Sequence, residues 1–269
     1  MGFWIKVIIA WLLNTFRITD LSLRGLNQKY ENQYIRIVNY HDTKKENIHT
    51  FERHLRWYRK HFDNVDYRSF KNFLESGKLR AERPGIMLTF DDGLKGNYEV
   101  AKRLLKEYGF TGYFMCSSEL IGTGGYMTET ELKELINDGN VVGSHTATHH
   151  RMRETDEIKV LDYEIREAKL RLQDKLEIDN VEIFCWCGGE EKHYTKAAFD
   201  KIIESGYKYG FMTNSAPVFW GEDHYMIQRI NVEDSWPVFL MKFQISGIMD
   251  KRMEKKRIRI ANRMIQREE

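Results

Sequence analysis

Apolar runs of strand length alternate along the chain with segments of helical periodicity. Runs at 34–40, 85–90, 111–115, 140–144, 181–185, 207–212 and 225–232 predict seven strands. Between them, Tyr98, Ala101, Leu104, Leu105 and Tyr108 recur at helical spacing and are ended by Gly109. Ile158, Leu161, Ile165, Ala168 and Leu172 do the same on a long charged segment, and residues 194–205 form a further helix closed by Gly206. Such alternation implies parallel strands joined by right-handed crossovers, hence α/β architecture, either an open sheet or a barrel. No Pro/Gly/Ser-rich linker or repeat divides the 269 residues, so a single domain over 31–250 is expected. An apolar helical extension, 1–30, precedes it, and a basic amphipathic helix, 251–269, follows.

The polar residues that interrupt this pattern sit at strand ends. Gly85-Ile86-Met87-Leu88-Thr89-Phe90 runs straight into Asp91-Asp92-Gly93. Side chains alternate between the faces of a strand, so the two carboxylates can diverge, one toward a cation and the other toward a nucleophile. A solvated Asp-Gly turn is the plain alternative. A second segment repeats the design: Val141-Val142-Gly143-Ser144 leads into His145-Thr146-Ala147-Thr148-His149-His150. His41 ends the first run, and Trp186-Cys187-Gly188-Gly189 ends the fifth. Ligand-type residues gathered at the C-terminal ends of strands are where barrel enzymes build their sites.

The ordered pair Thr89-Phe90-Asp91-Asp92-Gly93 and His145-Thr146-Ala147-Thr148-His149 resembles the first two motifs of the NodB-type polysaccharide deacetylases, carbohydrate esterase family 4, over about residues 34–247. The resemblance implies an irregular, incomplete (β/α)7-type barrel. It implies a deacetylase that hydrolyses an N- or O-acetyl group on a sugar of a polysaccharide or glycan precursor. It assigns Asp92, His145 and His149 to one divalent metal, with zinc expected and cobalt, nickel, iron or manganese as alternatives. His150, adjacent to His149, competes for the third position. Two imidazoles and a carboxylate leave positions open for catalysis.

Asp91 is then the catalytic base, and the Gly188 N–H is the candidate oxyanion donor. The Phe184–Gly189 segment lacks the arginine and proline that the family carries there, which leaves the orientation of the base unexplained. The late leucine-x-histidine motif is also missing. Ile37-Val38-Asn39-Tyr40-His41-Asp42 offers a replacement, as in exopolysaccharide N-deacetylases with permuted motifs, and makes His41 the candidate general acid, with His193 and His224 as fallbacks. Trp186, Glu190, Glu191 and Tyr194 are candidates for lining a sugar cleft. Arg229 is either a site residue or a structural ion-pair partner.

Composition narrows the partners. With 42 basic and 40 acidic residues the net charge is +2, and no global field favours nucleic acid. Cys116, Cys185 and Cys187 are too few and too close-spaced for a disulfide framework, and they read as buried thiols in a reducing compartment. The apolar run Gly2–Leu13, interrupted by Lys6 and ended by Asn14, is too short to span a bilayer, and residues 3–26 form either an interfacial helix or one packed on the barrel. The C-terminal Lys and Arg residues suit a solvated helix, with anionic-membrane contact as the alternative. A cytoplasmic location, or one on the inner face of the cell membrane, is expected. Two other functions share the fold: a catalytically silent glycan-binding protein, and a hydrolase of small non-sugar amides.

Overall fold

The computed structural model describes residues 2–265. Nine strands are formed: β1 (Ile35–Tyr40), β2 (Asp63–Asn64), β3 (Gly85–Phe90), β4 (Gly112–Cys116), β5 (Val141–Ser144), β6 (Ile183–Cys185), β7 (Tyr209–Met212), β8 (Ile227–Gln228) and β9 (Ile230–Asn231). They run β8-β7-β6-β5-β4-β3-β1-β9, with the short β2 added on β3, and every pairing between them is parallel. The two outer members of that order are halves of one segment. Ile227 pairs with Phe211 of β7, and three residues later Ile230 pairs with Val38 of β1. One continuous stretch therefore touches both edges of the sheet, which curls into a nearly closed barrel. The last of the seven expected strands splits in two at Arg229, and that split is the closure.

The helices are α1 (Phe3–Thr15), α2 (Ile18–Lys29), α3 (Ile48–His61), α4 (Tyr67–Ser76), α5 (Lys102–Tyr108), α6 (Glu129–Asn137), α7 (Ile158–Leu161), α8 (Ala168–Leu176), α9 (Lys196–Glu204), α10 (Val238–Ile245) and α11 (Asp250–Ile265). Local chemistry sets their ends. Asp66 caps α4 by accepting from the Ser69 N–H, and Gly77 stops it at φ +71°; Thr128 and Glu131 form a reciprocal capping box on α6. Two π turns interrupt the helical layer, Asn97–Ala101 leading into α5 and Asp162–Glu167 between α7 and α8. The apolar stretch 3–26 is two helices rather than one, because Arg17 takes a left-handed conformation (φ +57°) between them. Residues 266–269 of the expected C-terminal helix, Arg267 among them, lie outside the described residues.

Strand parity divides the core. Ile35, Ile37, Met87, Tyr113, Met115, Ile183, Tyr209, Phe211 and Ile227 point into the barrel, where Phe70 and Phe73 of α4 join them. Val38, Tyr40, Ile86, Leu88, Phe90, Phe114 and Phe184 face the helical layer. With both faces covered, each strand is a continuous apolar run. The inward parity is odd-numbered on these strands. Carried one or two steps further it reaches Asn39, His41, Thr89, Asp91, His145, Thr213, Arg229 and Asn231.

Candidate active site

Those residues meet at the C-terminal mouth of the barrel, around a cavity of about 310 Å³. Its lining includes Asn39, His41, Asp91, Asp92, His145, His149, Arg151, Trp186, Gly188 and Asn231. Asp92 has the wrong parity for an inward strand residue, and it is turned back by a left-handed backbone (φ +70°). Thr146 (φ +66°) and His149 (φ +63°) share that region. Each such residue costs on the order of 1 kcal/mol, and their clustering marks a loop shaped by its contacts rather than by local preference. Those contacts come from Glu164, buried in the second π turn. Its carboxylate accepts from the Ala147 and Thr148 N–H groups, both at 3.0 Å, and from the Thr148 hydroxyl at 2.7 Å.

The loop brings His149 Nε2 to 3.1 Å from Asp92 Oδ1, and His145 Nε2 to 3.4 Å from the same oxygen. Asp92 Oδ1 is buried without a hydrogen-bond partner. An unpartnered buried carboxylate oxygen is expensive, and a cation is what would satisfy it. His145 Nδ1 lies 2.9 Å from the Cys185 carbonyl. A carbonyl only accepts, so Nδ1 carries the proton and Nε2 is left as a free donor atom facing Asp92, the arrangement that orients a metal-binding histidine. Burial opposes ionisation of Asp92; when the two imidazoles facing it are protonated they outweigh burial and hold its carboxyl well below the usual carboxylate range. This donor set fits a divalent metal. Cys187 also has Sγ within 4.8 Å of imidazole nitrogens of His145 and His149. It is already hydrogen-bonded to the His145 carbonyl at 3.5 Å and to the Thr146 hydroxyl at 3.7 Å.

Asp91 is held differently. Arg229 Nη1 donates to its Oδ1 at 2.6 Å and Nη2 to its Oδ2 at 2.8 Å. Both residues are buried. The same guanidinium donates to the Thr89 hydroxyl (3.0 Å), Asn39 Oδ1 (3.3 Å) and the Cys185 sulfur (2.7 Å). Burial opposes the Asp91 charge, and Arg229 overrides it, keeping the carboxyl below its ordinary value. At the neighbouring thiols burial outweighs the opposing pull of Arg229 and His145 on Cys185 and of His145 on Cys116, pushing Cys185 up to about 11 and Cys116 up to about 12. These remain protonated, weak ligands beside the imidazole–carboxylate set.

His41 is set by a second clamp. Asn97, in the first π turn, donates Nδ2 to the His41 carbonyl at 2.9 Å and accepts from the Thr43 hydroxyl at 3.1 Å, which also bonds the Gly96 carbonyl. Any side chain at Gly96 would collide with Asp42 and the Thr43 carbonyl, so this close approach requires glycine. Each π turn thus supplies one buried polar residue to a loop of the site.

Residues 78–210 match the family model described as polysaccharide deacetylase. These residues are a polysaccharide deacetylase domain. It is 25% identical over 183 residues to YxkH of Bacillus subtilis (strain 168), provisionally named a polysaccharide deacetylase; the match covers 68% of this chain and 63% of that protein. Among solved structures, the Streptococcus pyogenes deacetylase PplD, determined with acetate, superposes with a TM-score of 0.68 at 20% identity, covering 78% of this chain and 98% of that one. IcaB from Ammonifex degensii gives 0.68 at 18% identity, covering 81% and 97%. At these identities the likeness is one of fold.

Within this deacetylase domain the remaining candidates separate. His150 turns away from the cavity to Asp156, 2.9 Å from its Oδ2, and of the two neighbours it is His149 that lines the cavity. His193 is buried against the Met152 carbonyl, and His224 packs on Tyr209, outside the cavity. Of the expected cleft residues only Trp186 reaches the cavity. Tyr194 is buried behind it, receiving the Thr213 N–H, while Glu190 pairs with Lys192 and Glu191 with Arg259 of α11. The C-terminal helix is consequently less solvated than its sequence suggests, since Lys256 also donates to the Gly189 carbonyl and braces the turn that lines the site. Arg151, Asn39, Thr213 and Asn231 line the cavity without having been singled out from sequence. The parity of the last inward strand residue is the signal that finds all but Arg151.

Proposed function

We propose that this domain is a metal-dependent deacetylase that hydrolyses an N- or O-acetyl group on a sugar of a polysaccharide or glycan precursor. The observation that carries the proposal is the convergence of two imidazole Nε2 atoms on the unpartnered Asp92 Oδ1, one residue from a carboxylate locked by Arg229. Asp92, His145 and His149 would hold a divalent cation, which would supply Lewis-acid chemistry for the acyl carbonyl and lower the pKa of water toward ~7.

The chain's own groups do the rest. Asp91, ionised and fixed in one plane by Arg229, accepts the proton of the attacking water. The Gly188 N–H, in a turn at φ +77° that lines the cavity, is the proposed donor to the developing oxyanion. His41, on the lining of the same cavity, gives a proton to the departing sugar nitrogen. Arg151 provides a cationic wall against which the substituents of a sugar ring would be oriented, while the buried Trp186 packs behind the site against Phe184 and Tyr194. The domain match supports hydrolysis of an acetylated polysaccharide as the substrate class.

The test is acetate release from a panel of N- and O-acetylated sugars and oligosaccharides, before and after chelation and with each divalent ion added back. Release that chelation abolishes and one ion restores is expected. Release indifferent to chelation, or no release from any acetylated sugar, would overturn the proposal.

A further inference from the structure

Helix α1 is apolar around its circumference, yet only one side is covered. Ala10 is buried against Leu240 and Phe243 of α10, with Val7, Ile9 and Leu13 packed alongside. The opposite side leaves Trp4 75%, Ile8 58% and Trp11 53% exposed, and Phe16 (69%) and Leu21 (60%) continue the patch across the kink into α2. A helix hydrophobic on all sides is normally buried, and a contiguous patch of this kind marks a contact surface. Thirteen helical residues extend about 20 Å, short of the ~30 Å hydrocarbon core. Among the described residues no helix is long and apolar enough to cross a membrane.

The rim of the patch identifies what covers it. A cavity of about 480 Å³ is lined by Phe16, Arg17, Asp20, Leu21 and Arg24. Its one acid, Asp20, is paired with Lys242 at 2.7 Å, so the exposed Arg17 and Arg24 leave this edge cationic. Guanidinium groups directly beside tryptophan, phenylalanine and leucine match a surface where anionic phosphates directly adjoin acyl chains. A second copy of the chain fits less well, because a two-fold contact through this patch would bring both arginine pairs into one interface. We propose that the α1–α2 elbow docks the protein on an anionic lipid bilayer, with Trp4, Trp11 and Phe16 entering the acyl boundary and Arg17 and Arg24 on the lipid phosphates. The anchor is tied to the site end of the barrel: Lys6 of α1 lies 4.2 Å over the ring of Trp236, in the loop that follows the cavity residue Asn231. This docking is independent of the chemistry proposed for the site.

Flotation of the full chain with vesicles of phosphatidylcholine alone, and of phosphatidylcholine mixed with phosphatidylglycerol, tests it. Binding to the anionic vesicles should exceed binding to the neutral ones by on the order of tenfold or more, as expected for two arginines at the surface. Trp4→Ser with Trp11→Ser should lower binding to anionic vesicles on the order of tenfold, and Arg17→Gln with Arg24→Gln should erase the preference between vesicles. These side chains point to solvent, so the variants should keep the wild-type circular dichroism and melting temperature. Wild-type protein that floats with neither vesicle, or equally with both, overturns the proposal. So does a wild-type dimer that the Trp substitutions convert to monomer.

Discussion

Arg229 grips Asp91 with two hydrogen bonds, at 2.6 and 2.8 Å, from the residue at which the barrel closes. The segment Phe184–Gly189 lacks an arginine to orient the base, and this pair explains why none is needed there. The closing strand supplies the guanidinium from the other side of the barrel mouth. Closure of the fold and orientation of the base are the same structural event.

Removing one partner of such a buried pair is costly, because the other charge is left unpaired. Arg229→Met should lower stability by roughly 3–5 kcal/mol in urea unfolding, and turnover with it. In a double-mutant cycle with Asp91→Asn the two losses should be strongly non-additive. Additive losses would show that the pair does not act as a unit.

Asp91 and Asp92 are adjacent but should fail differently. Asp91→Asn is expected to keep the bound metal and lose ~10²-fold or more in turnover, the usual scale for a general base. Parallel loss of metal and activity, read by elemental analysis beside kinetics, would mean that the two carboxylates share one role.

His41 is tested by its leaving group. His41→Ala should slow hydrolysis of an amide strongly while hardly affecting an activated ester, whose leaving group departs without a proton. Equal losses on both substrates would reduce His41 to a structural part of the cavity wall.

Glu164 touches no substrate position, yet it holds the loop that carries His149. Glu164→Ala should weaken metal affinity by ~10–100-fold in competition with a chromophoric chelator, the range for loss of a group that orients a ligand. Wild-type affinity in that variant would show that the left-handed Thr146 and His149 hold themselves.

The helical layer adds a pH dependence of its own. His54 Nε2 bonds the Trp236 carbonyl at 2.6 Å, so its Nδ1 accepts from the Tyr40 hydroxyl, next to His41. Burial, with a contribution from Arg53, lowers its pKa from 6.5 to about 4. The folded state excludes the proton that the unfolded chain takes up. Stability from this source is therefore full above about pH 6.5 and falls as pH drops toward about 4, by on the order of 3 kcal/mol in total. Urea unfolding against pH should show that slope in the wild type and a flatter one in His54→Gln; identical slopes would assign it to other groups.

Much of the site was legible in the sequence because barrel strands expose their chemistry at one end. Asp91, Asp92, His145 and His41 each follow an apolar run directly, and the structure brings all four to one cavity. What stayed hidden was set by long-range contact. Neither Glu164 nor Asn97 is marked by any motif; each matters through a π turn that aims it at a loop far away in sequence. The motif resemblance favours His149 over its neighbour His150, but the left-handed backbone at His149 and the pairing of His150 with Asp156, which send the two side chains apart, are not readable from it. Helices α3, α4 and α6 are amphipathic but carry no chemical motif, and α10 is apolar on nearly every side and so has no periodicity to mark it. Arg229 could be read as structural or functional because only barrel closure decides what it faces.

The account rests on His149, and not His150, completing the metal site with Asp92 and His145. Metal content of purified wild type, His149→Ala and His150→Ala, each stripped and reloaded with zinc, tests this most directly. The wild type and His150→Ala should each hold one ion per chain, and His149→Ala should hold far less. Full loading of His149→Ala, or loss of the ion in His150→Ala, would contradict the site described.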